Sequence, residues 1–160
     1  MKTIIAGIIA AAALVGNTSP SASDALTMVM NAVGNDCERV QIAQVSADEC
    51  YSLGLCEDDF SSIISAAMTI ENDADGSAKA VIITDSKKSA KALFEKMWKN
   101  YEFAACDNAK RIVFICSGSA VAFFKGDTEN VDAYSRAFGD LFGIKGLKII
   151  KNTAKYDKGY

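Results

Sequence analysis

Two short apolar runs, Ala80-Val81-Ile82-Ile83-Thr84 and Ile112-Val113-Phe114-Ile115-Cys116, constrain this chain more than any other feature. Runs dense in β-branched residues, with no polar alternation, suit strands buried on both faces of a sheet. Between them Ala90, Leu93, Phe94, Met97, Trp98 and Tyr101 recur at three- and four-residue spacing. That spacing predicts an amphipathic helix with its aromatic residues in the core, and Ser86 or Ser89 is placed to cap it. Strand, helix, strand is a crossover unit, which implies parallel pairing of its strands. Ser117-Gly118-Ser119 then turns the chain into Ala120-Val121-Ala122-Phe123-Phe124, so a hairpin adds an antiparallel pair. A last helix opens at Gly126-Asp127-Thr128, carries Val131, Tyr134, Phe138, Leu141 and Phe142 on one side, and ends at Gly143 and Gly146. The expected fold class is α/β, a sandwich with a mixed central sheet flanked by helices.

The amino-terminal half reads less sharply. Leu26, Val29, Met30 and Val33 fall at helical spacing and stop at Gly34, predicting a short helix over 24–33. Arg39 to Val45 alternates as a half-buried strand would. Glu57-Asp58-Asp59 suits the positive end of a helix, and Phe60, Ile63, Ile64, Ala67 and Met68 continue as an apolar stripe, predicting a helix over 58–72. Asp73-Ala74-Asp75-Gly76 breaks it, and residues 104–110 form a loop. With 160 residues, no repeat and no proline beyond Pro20, one domain is expected over 24–160.

Residues 1–23 read as a signal peptide. Lys2 precedes a twelve-residue apolar run, Ile4 to Val15, too short to span a bilayer comfortably. Ser21-Ala22-Ser23 offers small residues where a signal peptidase inspects the chain, so a mature start at about Asp24 and an extracellular, secreted address are expected. No later stretch is apolar enough to cross a membrane. Removing Lys2 leaves 16 basic against 20 acidic residues, a net charge of about −4. Bases scattered along an acidic chain do not track a phosphate backbone, which argues against nucleic acid and against anionic membranes. A monomer whose partner is a protein is the remaining expectation.

The chain has no histidine, which removes Ser/His/Asp and Cys/His nucleophile pairs and His-ligated zinc together. It has five cysteines, which in an exported chain should largely be oxidised. Cys116 lies in a buried apolar run, and about five extended residues separate it from the loop of Cys106, too far for a bridge. Cys37, Cys50, Cys56 and Cys106 allow three pairings. The preferred one joins Cys50 to Cys56 and Cys37 to Cys106, giving a disulfide-stabilised domain. For a metal, Glu71 to Gly76 begins like a calcium loop, but its twelfth position is Ile82 instead of a glutamate. A second candidate joins Asp85, at the end of one strand, with Asp107 and Asn108, just before the next. Their oxygens would suit calcium or magnesium. The same residues also read as a helix cap and turn formers. There is no Gly-rich phosphate loop and no nucleophile elbow, and no catalytic residue is assigned.

From Phe60 to Phe142 the chain resembles the TPM domain, and within it the nematode-type modulator of levamisole receptor branch, which carries extra cysteines. The resemblance rests on the expected helix before Asp75-Gly76, the strand Val81 to Asp85, the segment Ala92-Leu93-Phe94-Glu95-Lys96-Met97-Trp98, the loop Asp107-Asn108 leading into Ile112-Val113-Phe114-Ile115, and the strand ending Phe124-Lys125-Gly126. Where the family pattern has Asp-Asn-Gly before its buried strand, this chain has Asp107-Asn108-Ala109-Lys110-Arg111. The resemblance implies an α/β sandwich with a mixed sheet. It implies one of several roles: acid phosphatase or repair factor for photosynthetic complexes, divalent-cation binding, or accessory action on a ligand-gated channel. Two function classes follow: a secreted binding or regulatory module acting on a protein partner such as a cell-surface receptor, and a metal-dependent phosphatase-like hydrolase. The first is preferred, because the second has few candidate ligands.

Overall fold

Ser21 opens the first helix. Its Oγ accepts a hydrogen bond from the Asp24 N–H at 3.1 Å, satisfying one of the donors that a helix start leaves unpaired. Helix α1 runs Ala22–Val33 and ends at Gly34, whose φ of +82° is a left-handed conformation that glycine adopts without steric cost. The computed structural model describes residues 20–34, 41–44, 53–70, 77–103 and 109–152. The helix expected over 24–33 is therefore present and begins two residues earlier. Ala22 is fully buried, and its N–H donates to Ser65 Oγ at 3.0 Å.

Strand β1, Gln41–Gln44, falls within the expected extended segment. The helix expected over 58–72 is not formed. A short 3₁₀ helix, Glu57–Ser62, is followed by strand β2, Ile63–Ile70. The apolar residues of this stretch satisfy a 3.6-residue and a 2-residue period alike, and pairing decides between them. β2 lies antiparallel to β3, Ala78–Thr84, with Ala67 opposite Val81 and Met68 opposite Ala80. Ala67 packs on one face of the sheet while Ala66 and Met68 pack on the other, the alternation of a strand. Without β2, the fully buried β3 would have an unpaired edge in the core.

Helix α2, Lys87–Phe103, and strands β4, Arg111–Ser117, and β5, Ala120–Gly126, stand where the spacing predicts them. β4 and β5 form the expected hairpin through a two-residue turn, with Ser117 opposite Ala120. Gly118 takes φ +55° at the first turn position, as a type II′ turn requires. Helix α3, Thr128–Phe142, follows, and then a strand the periodicity did not predict, β6, Gly146–Asn152.

The strand order is β1-β2-β3-β5-β4-β6, and every neighbouring pair is antiparallel. The sheet is thus antiparallel, not mixed. β3 and β4 do run the same way, with α2 between them in sequence, as a crossover unit requires. They are not neighbours, because the hairpin inserts β5 between them. The same device recurs in β5-α3-β6, with β4 inserted.

Side-chain alternation divides the core into two layers. Val81, Ile83, Val113, Ile115, Ala122 and Phe124 face α1 and α3. On the opposite face Ala80, Ile82, Ile112, Phe114, Cys116, Val121 and Phe123 meet α2. Tyr101, Phe114 and Phe123 form a triangle with centroids 5.0–5.7 Å apart on the α2 side, within the range of favourable aromatic contact.

Candidate functional site

The residues expected to share a cation are not all described. Asp107 and Asn108 lie outside the described residues, as do Cys37, Cys50 and Cys106. Asp85 is exposed at the carboxyl end of β3, where its N–H donates to the Ser62 carbonyl at 3.0 Å. The cap of α2 is Ser86, whose Oγ accepts from the Ser89 N–H at 3.1 Å. Ala109, the first described residue after Asn108, leads into the start of β4. Because β3 and β4 run the same way, that start lies at the opposite end of the sheet from Asp85, about 20 Å along the strands. Among the described residues no group of three or more His, Cys, Asp or Glu side chains is placed to hold a metal ion.

The structure does assemble a cluster that spacing did not reveal. At the 3₁₀ helix, Asp59 Oδ2 accepts from the Cys56 backbone N–H at 2.8 Å, from Lys96 Nζ of α2 at 2.7 Å and from the Cys56 thiol at 3.2 Å. Lys96 Nζ also donates to Cys56 Sγ at 2.9 Å. Burial pushes the Asp59 carboxyl up, but the hydrogen bonds from the Cys56 N–H, Lys96 and the thiol outweigh it and hold the group below its ordinary 3.8. The hydrogen bond to Asp59, then that to Cys56, holds the Lys96 ammonium above its ordinary 10.5. Cys56 is a free thiol here, and Cys50, its expected bridge partner, is outside the described residues. The legible signal was an acid three residues after the chain position that needs capping, Cys56-x-x-Asp59, a capping-box spacing. Chemically the cluster is a clamp: one carboxylate oxygen gathers three donors and pins the turn to α2.

Cys116 is also a free thiol, buried on the α2 side of β4. Burial pushes its thiol above the ordinary value, with Lys91 pulling the other way, so it has the character of an inert core residue.

A surface feature lies at the β6 edge. Ile144, Leu147 and Ile149 are 46%, 47% and 47% exposed, large apolar side chains gathered on one short stretch. Leu147 and Ile149 sit opposite Ile115 and Val113, on the α1/α3 face of the sheet. Lys148 takes the other face, where its Nζ stands 4.6 Å from the centroid of the half-buried Trp98 ring. Trp98 was expected in the core; it borders the α2 layer and carries a cation on its ring. The stretch also differs in charge from the rest of the chain. Residues 144–160 hold five lysines and one acid, whereas residues 1–143 hold 12 bases and 19 acids.

Among the described residues no helix is long and apolar enough to cross a membrane. No protein-family model, curated protein or solved structure matches the chain.

Proposed function

We propose that this chain is a secreted, disulfide-stabilised, monomeric binding or regulatory module that acts on a protein partner, with a cell-surface receptor as the class of partner. The observation that carries this reading is the exposed pair Leu147 and Ile149 on one face of the edge strand, with exposed Ile144 just before it and lysines between them in sequence. Large apolar side chains gathered beside polar ones characterise surfaces that another protein covers. The leader-like residues 1–23 and the five cysteines support the secreted address, and the TPM-like segment Phe60 to Phe142 supports an accessory role.

The test is saturation binding of fluorescently labelled protein to cells of its own source. Saturable binding is expected, competed by unlabelled protein and abolished when the cells are first treated with protease. Binding that never saturates, or that survives protease, would overturn the reading. Hydrolysis of a phosphomonoester that requires calcium or magnesium would move the hydrolase ahead of it.

A further inference from the structure

We propose that the outer edge of β6, which no described strand pairs, takes up an extended, acidic strand of the partner, which continues the sheet as a further strand. This proposal rests on the binding reading above and names its surface. β6 is terminal in the sheet and, among the described residues, pairs only with β4, so the backbone groups of alternate residues point away from the molecule. Such an edge is a template for strand addition, in which backbone hydrogen bonds supply affinity and alternate side chains supply selectivity.

The two faces of β6 specify those side chains. Leu147 and Ile149 leave about half their surfaces open on the α1/α3 face, which calls for apolar residues at alternate positions of the incoming strand. Lys148 lies on the α2 face and Lys145 at the strand's entrance, and among the described residues neither is paired with a carboxylate. Lys148 calls for Asp or Glu at the intervening position, and Lys145 for an acid at the end of the incoming strand. The pairing register skips Ile150 between Ile149 and Lys151, a bulge that confines regular docking to Gly146 through Ile149. The same lysines disfavour the other ready occupant, a second copy: β6 against β6 would set like charges side by side.

Trp98 is the only tryptophan in the chain and lies under Lys148, so its fluorescence reports on this edge directly. Three seven-residue peptides serve as probes: one alternating valine with aspartate and glutamate, one with lysine in place of each acid, and the acidic one with two central residues changed to proline. The acidic peptide is expected to give a saturable change in Trp98 emission, weakened at least tenfold in high salt. The lysine and proline peptides should give none, because one reverses the charge and the other cannot donate to a ladder. Lys145→Glu with Lys148→Glu should weaken acidic-peptide binding at least tenfold. Circular dichroism checks that the variant keeps its fold, and if it does not, Lys145→Glu alone is used. Equal binding of the proline or lysine peptide overturns strand addition or charge selection respectively. A concentration-dependent dimer in sedimentation assigns the edge to a second copy and overturns the proposal. If no peptide binds and the double variant still saturates the cell surface, the β6 assignment falls while the binding reading stands. If the unmodified protein binds neither, both fall.

Discussion

Asp59 shows how much a single side chain can organise. Its Oδ2 accepts a backbone N–H, an ammonium and a thiol, joining the Cys56 turn to α2. Because its carboxyl is held below 3.8, its contribution to stability is present above that pH and is lost as the pH falls through the lowered value. Lys96, held above 10.5, contributes below that pH and loses its contribution as the pH rises through the raised value. Its side chain is 37% exposed, so solvent screens the ion pair and the backbone hydrogen bond carries most of the effect. Asp59→Asn is expected to cost about 1–2 kcal/mol near neutral pH. In thermal unfolding the gap between the two proteins should stay level from pH 5 to pH 9 and narrow below 3.8. A gap that persists undiminished at acid pH would show that the carboxylate charge is not its source. The Cys56-x-x-Asp59 spacing was legible beforehand, but Lys96 was not, since it lies 37 positions from Asp59 and only folding brings them together.

At the scale of elements, α1 carries a consequence for processing. The small residues Ser21 and Ser23 suggested a cut before Asp24, yet Ser21 caps the helix, and Ala22 is buried with its N–H bonded to Ser65. A cut there would remove all three and place an ammonium at the positive end of the helix dipole. If a leader is cleaved as proposed, sequencing the mature amino terminus should therefore find a first residue at or before Ser21. A terminus at Asp24 would show that α1 forms without its cap. The elements with one strong period were legible in advance: α2 through Ala90, Leu93, Phe94 and Met97, α3 through Val131, Tyr134 and Phe138, and the hairpin through two apolar runs around Gly118. β2 was misread because Ile63, Ile64, Ala67 and Met68 fit a helical stripe until β1 and β3 are available to pair with it. β6 was missed because Lys148 and Lys151 break its apolar run and, as an edge strand, it needs no buried outer side.

For the molecule as a whole, one sheet carries two apolar layers, so damage to either should be felt throughout. Phe114→Ala removes a ring from the α2 layer and Phe124→Ala one from the α1/α3 layer, and each is expected to cost about 3–5 kcal/mol. Trp98 emission and far-ultraviolet circular dichroism should give coincident unfolding curves for both variants, since the layers share the same strands. Curves that separate in one variant would mean that the layers melt independently. What the sequence by itself determined is local: which runs are buried, which helices are amphipathic, where glycine turns the chain, and that histidine chemistry is absent. Those follow from side-chain periodicity and composition, which a linear chain displays openly. Strand order, the antiparallel sense of every pair, the extended state of β2, the Asp59 clamp and the terminal place of β6 in the sheet were decided only by the tertiary structure. Each depends on which distant segments become neighbours, and that choice is made by pairing backbone hydrogen bonds and closing two cores at once.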